Sequence, residues 1–242
     1  MRDPKNTAVM TKSEVHARIQ EIGIIPAIHV SSTEDAHFAA REISAAGIPI
    51  LELATIEPGA IEIIADLVRS HPDLIVGAGE LTDAQTAQRC WDAGAKFLTG
   101  PGLELGVHSG GLESSSEDSP VIIPGALTPT EVLKAWKSSC DFVKVFPCAE
   151  VGGAHYIRAL KGPYPYIPLI ASGGVNQETA ADFIAAGATA LGIGTALIPH
   201  ESIRLRQSQR IHELGRRFVA IVKHARSQMP HRKEKLDPHP RA

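Results

Sequence analysis

Cysteine is scarce in this 242-residue sequence, and its few positions suit neither a disulfide framework nor a metal site. Only Cys90, Cys140 and Cys148 are present, without a CxxC pair or a Cys/His ligand spacing. An odd number of cysteines is a poor basis for disulfide bonds. We therefore expect a protein of the reducing cytoplasm.

Strong net charge and long apolar runs are also missing. The sequence has 24 Lys and Arg against 27 Asp and Glu. This balance argues against a broad surface for nucleic acid or membrane, although small anionic ligands remain compatible with it. No apolar run reaches membrane-spanning length, and the first residues lack the hydrophobic segment of a signal peptide. We expect no nucleic-acid or membrane partner.

What the sequence does contain is a regular alternation of apolar strands and amphipathic helices. Eight short β-branched runs are predicted as strands: 24–30, 48–53, 74–76, 96–98, 121–123, 142–146, 168–170 and 190–193. Helical apolar spacing is found between many of them: 33–46, 59–70, 83–93, 128–137 and 177–186. Alternation of this kind indicates an α/β fold with a parallel sheet.

Glycines give the alternation a period. Gly47, Gly94 and Gly187 each follow a predicted helix just before a strand. The distance along the chain from Gly47 to Gly94 is about two repeats of roughly 23 residues, and the distance from Gly94 to Gly187 is about four. Eight such repeats predict a (β/α)8 TIM barrel with a parallel, eight-stranded sheet. A doubly wound open sheet is the alternative.

The chain is predicted to form one barrel domain over residues 11–226. Residues 1–10 and the basic tail at 227–242 are predicted to be disordered. The segment 108–119 is polar and rich in serine and glycine, so we expect a mobile loop between the fourth and fifth strands.

Two charged residues interrupt apolar strands. Lys144 lies within the segment 142–146, and Glu52 lies within 48–54. Burial disfavours the charged form of a lysine, and a neutral amine is a nucleophile. Because the reacting groups of such barrels come from the carboxyl ends of strands, we expect the two side chains to face each other there. The pair suits Schiff-base chemistry, although a lysine that extends to solvent fits the spacing equally well.

Glycine-rich segments follow the last two predicted strands. They read Ala-Ser-Gly-Gly-Val at 171–175 and Gly-Ile-Gly-Thr at 192–195. Backbone amides after strands seven and eight form the usual phosphate site of this fold. The pattern predicts an anionic substrate, and turn glycines without a ligand are the alternative.

From about residue 20 to residue 225, the chain resembles the class I keto-hydroxyglutarate and 2-keto-3-deoxy-6-phosphogluconate aldolases. The resemblance rests on motifs matched in order: Gly-Ile-Ile-Pro, Leu-Glu-Leu-Ala-Thr-Ile-Glu-Pro-Gly-Ala, Val-Gly-Ala-Gly-Glu-Leu-Thr-Asp, Ile-Pro-Gly-Ala-Leu-Thr-Pro-Thr-Glu-Val, Val-Lys-Val-Phe-Pro-Cys, Leu-Lys-Gly-Pro-Tyr-Pro and Ser-Gly-Gly-Val-Asn. It implies a homotrimeric barrel that uses no metal or other cofactor. It also implies that Lys144 forms an imine with the keto acid and that Glu52 is the general acid/base.

The implied reaction is the reversible cleavage of a 2-keto-4-hydroxy acid to pyruvate and an aldehyde. The expected ligand is a small keto acid, phosphorylated as in 2-keto-3-deoxy-6-phosphogluconate (KDPG), or of the 4-hydroxy-2-oxoglutarate (KHG) type. Ser172 is expected at the pyruvyl carboxylate and the glycine segments at the phosphate. The substrate-binding residues implied are His29, Glu80, Pro101, Ser172, Gly173, Gly174, Gly194 and Thr195.

Three positions depart from the family pattern. Ile56 stands where many members carry an arginine that grips the carboxylate. His29 stands where a subgroup uses an arginine instead, so bidentate binding of the carboxylate is lost. Glu80 replaces a threonine, and its carboxylate is expected to repel an anionic keto acid. Either Glu80 turns away or pairs with a cation, or the accepted substrate differs from the family's usual acid.

Other functions stay open. One is a metal-dependent lyase, whose ligands would be His29, Glu52 and Glu80, with or without Glu150. Another is a barrel with lost or altered activity that binds keto acids or sugar phosphates. A thiol nucleophile at Cys148 is a further alternative, but no histidine partner is evident and we expect that residue to pack.

Overall fold

The computed structural model describes residues 10–103 and 116–229. Its helices are α1 (Lys12–Ile22), α2 (Thr33–Ala45), α3 (Ala60–Ser70), α4 (Ala84–Asp92), α5 (Pro129–Lys137), α6 (Gly153–Lys161), α7 (Ala180–Ala185), α8 (His200–Arg204) and α9 (Ser208–Ser227), with a 3₁₀ turn at Ala149–Val151. Its strands are β1 (Ile24–Ile28), β2 (Ile50–Ala54), β3 (Ile75–Gly79), β4 (Phe97–Thr99), β5 (Val121–Ile123), β6 (Gly125–Ala126), β7 (Val143–Val145), β8 (Leu169–Ser172) and β9 (Ala190–Ile193). Most of the predicted disordered ends and most of the predicted loop at 108–119 lie outside the described residues, but Ser227, at the start of the predicted tail, is the last residue of α9.

The strands form a parallel, nearly closed barrel. Its nine strands pair in the order β5-β4-β3-β2-β1-β9-β8-β7-β6. The two strands at the ends of this order, β5 and β6, are separated along the chain only by Pro124. Proline has no N–H for a ladder hydrogen bond, which accounts for the interruption. The strand order follows the chain around the barrel, whereas a doubly wound sheet would reverse it.

Each of the eight predicted strands corresponds to an observed strand: 121–123 and 190–193 have the predicted bounds, and the other six have shifted ends. The two-residue strand β6 is an additional one that the pattern did not predict. The apolar runs proved reliable because the central strands are buried throughout, as in β2 and β3. Packing inside the barrel depends on small residues, since a Cβ at Gly77 of β3 would lie 2.3 Å from the Phe97 ring of β4.

Helix starts follow local chemistry. Ser32 caps α2, Asp83 caps α4, and Thr128 forms a capping box with Glu131 at the start of α5. These caps fix where the chain leaves each loop at the carboxyl ends of the strands. Within the described residues, no helix is both long and apolar enough to cross a bilayer.

Two helices that the spacing did not predict are α1 and α9, and α9 packs against α2 and α7. Helix α1 contacts β5 and β9 and ends at Gly23, which is left-handed with φ 70°. Arg226 of α9 donates to the carbonyl oxygens of Glu21 and Thr189 at 2.6 and 2.8 Å. These contacts tie α9 to α1 and to the segment before β9. The carboxyl end is the end with the large cavity.

Candidate active site

A cavity of about 1060 Å³ lies at the carboxyl ends of the strands. Its walls come from strand ends and from the loops that follow them, as expected for this barrel. Every residue that the sequence placed at the site lines this cavity: His29, Glu52, Glu80, Pro101, Lys144, Ser172, Gly173, Gly174, Gly194 and Thr195. The structure therefore brings together residues that are up to 166 positions apart, and their roles stay predictions.

Lys144 and Glu52 meet at the inner end of the cavity. Lys144 lies in the middle of β7, where it pairs with Gly125 of β6 and Ile170 of β8. Its Nζ atom is 3.3 Å from Oε1 of Glu52 on β2. The residues are 8% and 5% exposed, so their contact is largely shielded from bulk water. The amine and the carboxylate are close enough to exchange a proton directly.

A third polar side chain, Thr99 at the end of β4, completes this group and was missed from the sequence. Its hydroxyl accepts a hydrogen bond from Lys144 Nζ at 3.0 Å and donates one to Glu52 Oε1 at 3.1 Å. Threonine is a common strand residue, so the pattern gave no reason to select it. Its position at the carboxyl end of the fourth predicted strand was the available signal. We call Lys144, Glu52 and Thr99 the inner triad.

Gly79 makes room for the Glu52 carboxylate. A Cβ atom built on Gly79 would lie 2.0 Å from Glu52 Oε1 and 2.5 Å from its carboxyl carbon. Glu52 of β2 pairs with Gly77 of β3, and two positions further along Ala54 pairs with Gly79. The absence of a side chain at Gly79 therefore allows the carboxylate to reach its partners in the inner triad.

The mouth of the cavity carries a second polar pair, His29 and Glu80. Nε2 of His29 is 3.4 Å from Oε1 of Glu80, and both side chains are about one-third exposed, at 33% and 34%. Glu80 has a left-handed backbone with φ 58°, which is uncommon for a residue other than glycine. The His200 ring lies edge-on to His29, with ring centroids 6.3 Å apart. Glu80 therefore has a side-chain partner, which is a cation only when His29 is protonated.

Charge at the mouth is otherwise acidic or absent. Glu57 also lines the cavity, and Ile56 is 66% exposed at its rim. Among the described residues, Lys144 is the sole lysine or arginine that lines the cavity. The histidines are therefore the side chains at the mouth that could become cationic.

The glycine segments after β8 and β9 form another part of the cavity wall. Gly173 and Gly174 are left-handed, with φ 85° and 76°, and a Cβ on Gly174 would lie 2.2 Å from the Ala149 side chain. These glycines are thus required for packing against the loop after β7. The N–H groups of Gly174, Gly194 and Thr195 nevertheless find no backbone acceptor within the described ranges. Such donors are able to bind an anion.

Cys148 packs beneath the site. Its side chain is buried, with Sγ 3.7 Å from the carbonyl oxygen of Gly153. Burial raises the pKa of this thiol to about 12, so it stays protonated at neutral pH. The thiol is the less nucleophilic form of cysteine. Cys148 is therefore a packed, buried side chain, as expected.

The proposed metal ligands do not assemble. Residues 10–103 and 116–229 contain no group of three or more His, Cys, Asp or Glu residues that could hold a metal ion. Glu150 is exposed in the 3₁₀ turn and does not line the cavity. The ligand set of His29, Glu52 and Glu80, with or without Glu150, that was expected for a metal-dependent lyase was therefore wrong.

Comparison with known proteins gives consistent matches along most of the chain. A family model for KDPG and KHG aldolases matches residues 15–214. The 2-dehydro-3-deoxy-phosphogluconate aldolase of Dickeya dadantii (strain 3937) is 29% identical over 197 residues, which cover 81% of this chain and 91% of the relative. The KHG/KDPG aldolase of Escherichia coli (strain K12) is 27% identical over 200 residues, which cover 83% and 92%.

A solved structure is similar in both fold and sequence. It is the KDPG aldolase from Legionella pneumophila with pyruvate captured at low pH as a covalent carbinolamine intermediate. The TM-score is 0.75 at 28% identity, and the match covers 83% of this chain and 96% of that one. The parallel barrel and its enclosed lysine and carboxylate thus define an aldolase, a carbon–carbon lyase. The chain belongs to the KDPG and KHG aldolase family.

Proposed function

We propose that this protein is a Schiff-base aldolase that reversibly cleaves a 2-keto-4-hydroxy acid, of KDPG or 4-hydroxy-2-oxoglutarate type, to pyruvate and an aldehyde. The observation that carries the proposal is the 3.3 Å contact between Lys144 Nζ and Glu52 Oε1 at the inner end of a large cavity. A relative in this family has been captured with pyruvate as a covalent carbinolamine. That adduct is the first intermediate expected when a lysine attacks a keto acid.

The inner triad supplies the proton transfers that the reaction needs. Glu52 first accepts a proton from the Lys144 ammonium, and the neutral amine adds to the C2 carbonyl of the keto acid. The protonated Glu52 then donates to the departing hydroxyl group, so that water leaves and an iminium forms. With Glu52 ionised again, it removes the proton of the C4 hydroxyl.

The positively charged iminium promotes cleavage because it can accept the electron pair of the bond that breaks. The C3–C4 bond breaks, its electron pair moves toward the iminium to give an enamine, and the C4 hydroxyl becomes the carbonyl of the aldehyde. Glu52 returns the proton to C3, and water hydrolyses the resulting iminium to release pyruvate. Lys144 and Glu52 end in their starting states, and each step is reversible.

The remaining cavity residues are proposed to bind the substrate. The Ser172 hydroxyl and, when protonated, His29 would bind the keto-acid carboxylate, and Pro101 would form part of the wall. Gly173, Gly174, Gly194 and Thr195 would bind a phosphate or second carboxylate at the far end. Amide donors without a backbone acceptor in these segments support this assignment. Glu80 would compete with the carboxylate for His29.

Several finer properties complete the proposal. The names of the relatives favour a phosphorylated substrate. We propose a homotrimer in the cytoplasm, with residues 11–226 as one domain and β5 and β6 counted as one strand of an eight-stranded barrel. Light scattering tests the assembly, because a trimer has three times the mass of the 25.8 kDa chain. A monomeric mass at micromolar concentration would contradict it.

Borohydride trapping tests the mechanism. Incubation with pyruvate and borohydride should reduce the imine and leave a carboxyethyl group on Lys144, which peptide mass mapping locates. An unmodified Lys144 under these conditions would overturn the proposal. A panel of phosphorylated and unphosphorylated 4-hydroxy-2-keto acids, with coupled detection of pyruvate, then identifies the substrate. Ligand binding without release of pyruvate would instead indicate a binding protein.

A further inference from the structure

The hydroxyl of Thr99 has a place in the inner triad that packing does not explain. Thr99 is 1% exposed and pairs with Ile123 of the neighbouring strand. Valine has nearly the same shape and suits a strand at least as well, so the fold alone does not require a hydroxyl there. A buried hydroxyl is unfavourable unless it is hydrogen-bonded. The two groups that the Thr99 hydroxyl contacts, Lys144 Nζ and Glu52 Oε1, are the proposed reacting groups.

We propose that Thr99 is a catalytic residue of this aldolase, one that holds the Lys144 amine and the Glu52 carboxylate in their reactive arrangement. The proposal rests on the proposed Schiff-base function. Its basis is a closed triangle of contacts, with Lys144 Nζ to Thr99 Oγ1 at 3.0 Å, Thr99 Oγ1 to Glu52 Oε1 at 3.1 Å, and Lys144 Nζ to Glu52 Oε1 at 3.3 Å. The two contacts made by the hydroxyl are the shorter ones.

The donors and acceptors of the triangle determine what the hydroxyl does. A hydroxyl has one proton and two lone pairs. Because an ionised Glu52 only accepts and an ammonium only donates, Thr99 must give its proton to the carboxylate and accept from Nζ. The directions of these hydrogen bonds are therefore set by chemistry.

The same contact orients the amine once it is neutral. A neutral amine keeps two N–H bonds and one lone pair, and the lone pair is the nucleophile. An N–H group that donates to Thr99 is directed toward the barrel wall, which leaves the lone pair free for a carbonyl in the cavity. Fixed orientation of this kind raises the rate of the chemical step more than it changes substrate affinity.

The backbone of Thr99 is held firmly enough for this role. Its carbonyl oxygen accepts a hydrogen bond from the Leu81 N–H at 3.1 Å, and its strand pairs with β3 and β5 on either side. Leu81 directly follows Glu80, so the loop at the mouth is connected to the same residue. A reactive group on a strand between two paired neighbours is positioned more precisely than one on a loop.

The test compares T99V and T99S with the unaltered full-length chain. T99V keeps the shape and removes the hydroxyl, and T99S keeps the hydroxyl. We expect T99V to lower kcat and the rate of borohydride-trapped imine formation with pyruvate by about 10- to 100-fold, with KM changed much less. T99S should recover most of both rates. T55V is the matched control, because the Thr55 hydroxyl donates to the backbone carbonyl oxygen of Gly79, at 2.8 Å, and not to a member of the inner triad. T55V should leave both rates close to those of the unaltered chain.

The outcomes separate this proposal from the one on which it rests. If the unaltered chain is trapped at Lys144 and T99V is trapped equally fast, the role of Thr99 is overturned and the Schiff-base function stands. If T99V slows trapping no more than T55V does, the same conclusion follows. If the unaltered chain is never modified at Lys144, both the proposed function and the proposed role of Thr99 are contradicted. Melting temperatures are measured alongside, and T99A supplies the same loss of hydroxyl if T99V does not fold.

Discussion

The inner triad and the mouth of the cavity are built differently. Lys144, Glu52 and Thr99 project from strands, are nearly inaccessible to water, and contact one another at 3.0 to 3.3 Å. His29 and Glu80 lie just beyond strand ends, are about one-third exposed, and approach to 3.4 Å. Electrostatic interactions are strong where water is excluded and weak where it is not.

Because of this difference, we expect the inner triad and the mouth to have separate functions. The inner triad is proposed to provide the chemistry that every substrate of a keto-acid aldolase requires, which is capture of the carbonyl and movement of protons. The mouth is proposed to bind the keto-acid carboxylate through His29, and it also contains the departures from the family pattern, Ile56, His29 and Glu80. Substitutions in the inner triad should therefore change kcat, whereas those at the mouth should change KM.

Replacement of Lys144 should have the largest effect. K144M removes the nucleophile, so aldol cleavage should fall by about 10⁶-fold and no adduct should form with pyruvate and borohydride. K144M also leaves the Glu52 carboxylate without its cation, which should lower the melting temperature. The control K144M/E52Q removes both charges, and it should melt at a higher temperature than K144M and stay inactive. Activity in either variant would show that the inner triad is not the catalytic group.

Gly79 offers a way to disturb the inner triad without changing any of its members. In G79A the new methyl group would occupy the position of the Glu52 carboxylate, 2.0 Å from its Oε1 atom. The carboxylate is the end of a flexible side chain and is expected to move instead of the strand. We expect kcat to fall by about 100-fold, the scale of a lost general acid/base, in a protein that still folds.

The matched control for this substitution is G102A. A Cβ on Gly102 meets nothing within 4 Å, so this variant should keep its activity. Unchanged kcat in G79A would mean that the position of Glu52 is not critical.

The sequence predicted the barrel because its apolar runs and helical spacings directly reflect burial. The same principle identified Lys144 and Glu52 as charges within buried strands. It could not identify Thr99, whose partners lie 45 and 47 positions away in the chain. It also missed the short strand β6 and helices α1 and α9. Long-range polar contacts have no local periodicity, so they become visible only when the strands are brought together.

At the mouth we expect smaller effects, of opposite sign for the two partners. E80Q removes a competitor for His29 and a negative charge, so KM for an anionic keto acid should fall by about 2- to 5-fold. H29Q should raise KM by a similar factor. Because the two side chains contact each other, the effects should not be additive in the double variant. Higher ionic strength should diminish both effects, and a change confined to kcat would contradict the assignment of this pair to binding.

The cysteines should give the smallest effect, because they belong to neither region. Burial raises the pKa of Cys90 to about 11 and that of Cys148 to about 12. A raised pKa keeps a thiol protonated below that pH, and the protonated form reacts poorly with alkylating agents. Excess iodoacetamide at about pH 8 should therefore leave the activity of the folded enzyme unchanged, with both residues labelled only after denaturation. Suppose instead that the enzyme is inactivated, that the label is on Cys148, and that pyruvate prevents the labelling. Cys148 would then be a reactive group next to the glycine wall, and a mechanism that confines the chemistry to the inner triad would be wrong.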